Sequence, residues 1–421
     1  MDVRIYPSTL TKREITIPTS KSLAHRSIIC AALSDGVSTI RSVDLSVDIE
    51  TTINCMRTLG ASIEVVGKDV KVQGVKEYEC EEELWCSESG STLRFMIPIF
   101  SLVDKKVTLK GSSRLLQRPQ SVYEEIFRSQ NLSFIQNDDG IEIEGKLKAG
   151  QYIIDGNISS QFISGLLFVL PLLDGDSAIE IKPPFASRSY VDLTIDMLNK
   201  FGVEVKWDSD LVLSIRGNQK YIPQDVTVEA DYSQLAFYAG LGAINGPLTC
   251  IGANSKSLQG DKEIIDILSS MNVESKWEED RITFMKSVIT ESVIDLENCP
   301  DLGPILFMIA SFNEGVTYFK NTARLKIKES DRALAMKTEL AKWGVNVEVA
   351  DNDVWVHGAK LSGKDIEFDA HNDHRIVMAL SIGATVAQES VVIRNAHVIE
   401  KSYPRFFEDL TSLGIKVEVI V

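Results

Sequence analysis

Six times along the chain the same turn recurs: the end of an amphipathic helix, then Gly or Asn, then an alternating strand. The segments are MRTLGASIEV, FRSQNLSFIQ, LNKFGVEVKW, LSSMNVESKW, LAKWGVNVEV and LTSLGIKVEV. Their turn residues, Gly60, Asn131, Gly202, Asn272, Gly344 and Gly414, are spaced 71, 71, 70, 72 and 70 apart. A residue just past a helix end commonly takes the left-handed conformation, which suits Gly and Asn because other side chains meet a Cβ clash there. Unrelated helix ends do not fall at a constant interval, so the chain reads as six copies of one supersecondary unit.

A second series runs in phase with the first. Short strands lead through polar clusters into nearly apolar helices: ITIP to TSKSLAHRSIICAAL, ELWC to SESGSTLRFMIPIF, YIIDG to NISSQFISGLLFVL, VTVEA to DYSQLAFYAGLGAI, VIDLE to NCPDLGPILFMIAS and IEFDA to HNDHRIVMALSIGA. Each copy is then strand, apolar helix, strand, amphipathic helix and a two-stranded hairpin over a polar turn such as Gly67-Lys68-Asp69 or Asp208-Ser209-Asp210. The sixth copy ends at Val421 after one hairpin strand, and the alternating DVRIYP at the N-terminus supplies the other. That closure predicts an N-terminal domain of residues 15–225 and a C-terminal domain of 1–14 plus 226–421, three copies each, with the polar NQKYIPQD as a crossing. A helix apolar on all sides must be buried. The expected fold is therefore α/β, with parallel helices inside and sheet outside. The polar N-termini of those helices emerge on one face of each domain, where unpaired N–H groups suit phosphate and carboxylate. Two such faces across a cleft suit a small polyanion.

Composition bounds the ligand. The net charge of −16 disfavours nucleic acid and anionic membranes as partners. The apolar stretch Phe162–Leu173 is too short for a bilayer span. MDVRIYPSTL has no apolar signal core, and the six cysteines (30, 55, 80, 86, 250 and 299) show no zinc or redox spacing. A cytoplasmic, reduced protein without metal or cofactor is expected, with small molecules as its only partners.

Inside this acidic chain, cations gather at the helix starts. TSKSLAHR holds Lys21, Ser22 and Arg26; SESGSTLR holds Gly90 and Arg94; RLLQRP holds Arg114 and Arg118. NISSQ offers Ser159, Ser160 and Gln161 where one cap would suffice, and ASRSY adds Ser187, Arg188 and Tyr190. CPDLG sets Asp301 where an N-cap would stand. IKESDR contains Lys328, Glu329 and Arg332; Lys328 and Arg332, read as an i,i+4 pair of like charge, cost helix stability unless an anion lies between them. HNDHR contributes Asp373, His374 and Arg375, and EKSYP contributes Lys401. Taken singly, most of these read better as capped helix starts with solvated charge. Together, Lys21, Arg26, Arg94, Arg118, Lys328, Arg332, Arg375 and Lys401 point to a multiply anionic ligand set, with Asp301 and Glu329 available as base and acid. No activated Ser or Cys is visible, which favours direct transfer over a covalent enzyme intermediate.

TSKSLAHR, ESGSTLR, LQRP, SSQ, CPDL, IKESDR, NDHR and EKSYP, in this order over the full length, resemble the 3-phosphoshikimate 1-carboxyvinyltransferases, or EPSP synthases, of the enolpyruvyl transferase family. The resemblance implies two domains of three βαβαββ units each, an inside-out α/β barrel with the active site in the cleft, acting as a monomer in the shikimate pathway. It implies transfer of the enolpyruvyl group of phosphoenolpyruvate to the 5-hydroxyl of shikimate 3-phosphate through a non-covalent tetrahedral intermediate. Lys21, Ser22, Arg26, Ser159, Ser160, Gln161, Ser187, Tyr190, Asp301 and Lys328 would then face shikimate 3-phosphate. Lys21, Gly90, Arg118, Gln161, Glu329, Arg332, Arg375 and Lys401 would face phosphoenolpyruvate. Asp301, Glu329 and Lys21 would be catalytic, with Asp301 as base and Glu329 as acid. Two positions depart from the family pattern: Glu88, where Asn is frequent, and Arg324, where some members carry Asn.

Two other readings compete. The sister enzymes that use UDP-N-acetylglucosamine typically carry a reactive Cys in the loop matching GSSRLLQRP, and favour Lys-Asn where this chain has Lys21-Ser22. A non-catalytic anion-binding scaffold would have no need of Asp301 and Glu329.

Overall fold

A computed structural model describes residues 1–78 and 83–420; Cys80 and the terminal Val421 lie outside the described residues. The fold is mixed α/β, built on six four-stranded sheets that follow one recipe. In the second copy, Glu83–Trp85 pairs in parallel with Lys106–Lys110 across the helix Gly90–Phe100, and the hairpin Ser133–Asn137/Gly140–Glu144 joins antiparallel to Lys106–Lys110. All six turn residues are left-handed: φ is 108° at Gly60, 56° at Asn131, 77° at Gly202, 68° at Asn272, 82° at Gly344 and 96° at Gly414. The periodicity in the sequence is thus the periodicity of a backbone conformation.

The chain divides into two compact units, Met1–Pro18 with Glu229–Val421, and Thr19–Val228. The N-terminal strand Asp2–Ile5 completes the last sheet, lying antiparallel between Val391–Arg394 and Val417–Ile420. The unit boundaries fall a few residues beyond 14 and 225, for a reason visible in the pairing. Glu14–Thr16, the leading strand of the first copy, pairs in parallel with Leu248–Ile251. Its counterpart Val226–Thr227 pairs in parallel with Val37–Arg41.

The apolar helices form the interior of each unit. Every residue of Tyr232–Ile244, Gly303–Ala310 and His374–Ala384 is buried. These three helices pack on one another, and a Cβ at Gly240 would lie 2.9 Å from Ile309 Cδ1, so glycine permits their close approach. In the other unit the interior helices are Lys21–Ala32, Gly90–Phe100 and Ser160–Val169. Five of these six helices open on a capping side chain: Ser20, Ser89, Ser159, Asp231 and Asp373 accept from Leu23, Thr92, Gln161, Gln234 and Arg375 N–H respectively. Such a cap contributes about 1 kcal/mol. The amphipathic helices cover this interior; Ser121–Ser129, for example, buries Val122, Tyr123, Ile126 and Phe127. The five described cysteines are unbridged and buried, and no described helix is long and apolar enough to cross a membrane.

Candidate active site

Within Thr19–Val228 the starts of the interior helices are tied by two buried arginines. Arg26 donates through Nε to Thr194 Oγ1 at 2.8 Å, through Nη1 to the Ser22 carbonyl at 2.7 Å and through Nη2 to the Tyr190 carbonyl at 3.1 Å. These partners are neutral, and no carboxylate forms an ion pair with Arg26 among the described residues. Burial pulls its pKa down to about 10, so the guanidinium stays charged and its field is left for an anion. Arg94 donates to Gln161 Oε1 at 2.8 Å, to Ser159 Oγ at 3.4 Å and to the Pro119 carbonyl at 3.1 Å. Its guanidinium also lies 4.7 Å from the Phe162 ring centroid. Arg94 thus holds Ser159, Gln161 and the 119 turn together. Gln161 Nε2 reaches Ser91 Oγ at 2.9 Å, so these contacts tie the Gly90 and Ser160 helix starts together.

Lys21 pairs with Asp48 at 2.7 Å. Arg118 lies over Gly90: a Cβ there would be 2.5 Å from Arg118 Nη1, so the glycine leaves room for the guanidinium. Ser187 is buried and left-handed, with φ at 57°, immediately before the helix Arg188–Lys200.

In the other unit the centre is Asp301. It is not the N-cap expected from CPDLG. It lies in the short 3-10 turn Pro300–Leu302, and the following helix Gly303–Ala310 opens on Leu302 without a side-chain cap bond. Asp301 Oδ1 instead meets Lys328 Nζ at 2.9 Å and Arg332 Nη1 at 2.7 Å, while Oδ2 meets Arg375 Nη2 at 3.2 Å. Burial works against its ionisation, but Arg375, Lys328 and Arg332 override it and hold the carboxyl well below the usual carboxylate range.

This arrangement also corrects the reading of Lys328 and Arg332. The helix starts at Arg332 with Asp331 as its cap, so Lys328 lies outside it and the two are not an i,i+4 helical pair. The anion between them is the protein's own Asp301. Arg332 is 1% exposed and carries two more carboxylates, Asp373 at 2.8 Å and Glu329 at 2.8 Å. Burial disfavours the Arg332 charge, and Asp373, Glu329 and Asp301 together more than offset this, raising its pKa. Lys328, by contrast, is pushed down to about 8, first by burial and then by Arg324 and Arg332, against the pull of Asp301. The charge of Arg324, one of the two departures from the family pattern, thus helps to lower the Lys328 pKa. Lys401 Nζ donates to the Asn372 carbonyl and Oδ1, both at 2.9 Å.

Some partners carried no mark in the sequence. Asp48 and Asp261 sit in ordinary polar stretches, and only the fold brings Asp48 to Lys21 and Asp261 within electrostatic reach of Asp301.

The EPSP synthase profile, described as 3-phosphoshikimate 1-carboxyvinyltransferase, matches residues 5–410. The chain belongs to the EPSP synthase family. EPSP synthase relatives include the 3-phosphoshikimate 1-carboxyvinyltransferase of Clostridium kluyveri, 44% identical over 99% of this chain and 98% of that one. That of Clostridium acetobutylicum is 44% identical over 98% and 97%. Among solved structures, the EPSP synthase of Acinetobacter baumannii superposes with a TM-score of 0.81 at 23% identity, covering 100% of both chains. The enolpyruvyl transferase NikO of Streptomyces tendae gives 0.80 at 16% identity, covering 99% and 98%. At such low identity these structures establish the shared fold and leave the acceptor to the closer EPSP synthase relatives.

Proposed function

We infer that the chain transfers the enolpyruvyl group of phosphoenolpyruvate to the 5-hydroxyl of shikimate 3-phosphate and releases phosphate. The observation that carries this reading is the match, at 40–44% identity over almost the whole chain, to relatives that all bear the name of that activity. The charge arrangement supports it. Arg26 keeps an unneutralised positive charge, and Lys328, Arg332 and Arg375 converge on one carboxylate.

In the proposed chemistry the methylene carbon of phosphoenolpyruvate takes a proton, with Glu329 as donor, and C2 gains oxocarbenium character. The 5-hydroxyl oxygen attacks C2 while Asp301 accepts its proton, giving a tetrahedral intermediate. Loss of a C3 proton and of phosphate, with cleavage of the bond between C2 and the bridging oxygen, yields the enolpyruvyl ether. Lys21, Ser22, Arg26, Ser159, Ser160, Gln161, Ser187, Tyr190 and Lys328 serve shikimate 3-phosphate; Gly90, Arg118, Arg332, Arg375 and Lys401, with Lys21 and Gln161, serve phosphoenolpyruvate.

One physical consequence concerns Asp301. Held by three cations, it is ionised but a weak base. Substrate anions that draw those cations toward themselves remove its counter-charges and raise its basicity, so binding prepares the base. A phosphate-release assay decides the acceptor. Release is expected with phosphoenolpyruvate plus shikimate 3-phosphate. Release with UDP-N-acetylglucosamine instead, or with neither, would overturn the reading.

A further inference from the structure

Lys21 and the Gly90–Arg118 pair belong to different elements, and a buried chain of side chains joins them. Lys21 and His25 are one turn apart on the helix Lys21–Ala32; Asp48 and Thr52 are one turn apart on Val47–Thr58. The two helices are fastened at both levels, by Lys21–Asp48 at 2.7 Å and by His25 Nδ1 to Thr52 Oγ1 at 2.7 Å. Thr52 Oγ1 continues to Thr92 Oγ1 at 2.7 Å, and Thr92 Oγ1 donates to Ser89 Oγ at 2.7 Å. Ser89 caps the helix that begins at Gly90, against which Arg118 packs. His25 and Ser89 are 1% exposed, and Thr52 and Thr92 are 0% exposed, so water does not compete for these bonds.

The chain has a direction. The Thr92 hydroxyl proton goes to Ser89, which also accepts from the Thr92 N–H at 3.2 Å. The Thr92 oxygen is therefore the acceptor toward Thr52, whose own proton is thereby used. Thr52 can then only accept from His25, which fixes the imidazole as the Nδ1-protonated tautomer. Its Nε2 is buried without a partner among the described residues, as a lone pair rather than an N–H. Burial, and then the charges of Lys21 and Arg26, keep this ring neutral.

We propose that Thr52 is a positioning residue for the transfer reaction: it locks the Lys21 helix in register with the Ser89–Gly90 turn on which Arg118 rests. This rests on the functional reading above, in which Lys21, Gly90 and Arg118 meet phosphoenolpyruvate. Thr52→Val keeps shape and volume but breaks both of its bonds. It raises the KM for phosphoenolpyruvate about tenfold while kcat stays within about threefold. Thr52→Ser restores the wild-type KM, and Thr52→Cys, a weaker donor, falls between. A Thr52→Val enzyme with unchanged KM, or a Ser variant no better than Val, overturns the proposal. Nitrogen NMR of His25 tests the relay without any turnover: the Nδ1-protonated, neutral ring is expected throughout the range where the protein is folded. An Nε2-protonated or titrating His25 overturns the relay even if Thr52→Val does not fold. Wild-type protein that shows this His25 signature yet releases no phosphate would refute the functional reading and leave the relay standing.

Discussion

Asp261 feels the charges of Asp301 and Arg375 and makes a clean test of the electrostatics described there. It is 2% exposed; its Oδ2 accepts from Ser233 Oγ, and its Oδ1 has no partner among the described residues. Burial first, and then the charge of Asp301, push its pKa from 3.8 up to about 7, with Arg375 opposing. In the unfolded chain the group ionises near 3.8, while the folded protein keeps the proton until about 7. Between those values the unfolded state binds fewer protons, so this group makes stability fall as pH rises, and its effect levels off above about 7. The gap between 3.8 and about 7 corresponds to ~4 kcal/mol as an upper bound. Asp261→Asn cannot ionise and escapes this loss. Whatever the amide costs in packing, the stability of the variant relative to wild type should improve by up to ~4 kcal/mol between about pH 4 and pH 8. Urea unfolding of both proteins at several pH values measures that difference, in which the titrations common to both cancel. Two stability curves that stay parallel within ~1 kcal/mol would refute a buried, neutral Asp261.

The remaining expectations concern the reaction. Glu329→Gln and Asp301→Asn should each lower saturated turnover by about 10²–10⁴-fold; near-normal turnover in both would move the proton transfers to other groups. Gly90→Ala introduces a Cβ 2.5 Å from Arg118 Nη1, so the guanidinium must shift. The KM for phosphoenolpyruvate should rise about tenfold or more with a smaller change in kcat, and an unchanged KM would separate Arg118 from that substrate. Lys328, with its pKa pushed down to about 8, loses charge as pH rises through that value. Affinity for shikimate 3-phosphate should therefore fall above about pH 8, whereas Lys328→Arg should flatten that limb of the profile.

Much of the architecture could be read from the chain because one backbone requirement repeats. Gly60, Asn131, Gly202, Asn272, Gly344 and Gly414 mark the left-handed helix ends, and the missing strand of the last hairpin could be matched to residues 2–5. The pairing of Glu14–Thr16 with Leu248–Ile251 could not, because a three-residue strand carries too little pattern to name its partner. The helix starts were legible as clusters of charge, but the partner of each charge was not. Asp301 looked like a cap because it stands before an apolar helix; its carboxylate is taken by Lys328, Arg332 and Arg375, which lie far along the chain. Arg94 was legible as a cation at a helix start, but its bonds to Gln161, Ser159 and Pro119 were not. Thr52 gave no signal at all, and Thr92 none of its own within SESGSTLR, since a buried threonine in a helix reads as packing until its hydroxyl partners are known.

Enolpyruvyl transfer requires that the bond broken in phosphoenolpyruvate be the one between C2 and the bridging oxygen. Phosphoenolpyruvate labelled with 18O at that bridge, incubated with shikimate 3-phosphate and the protein, tests it directly. The label is expected to leave in the released phosphate while the unlabelled 5-hydroxyl oxygen forms the ether. Label retained on the three-carbon fragment, with unlabelled phosphate released, would mean cleavage between phosphorus and oxygen and would contradict enolpyruvyl transfer.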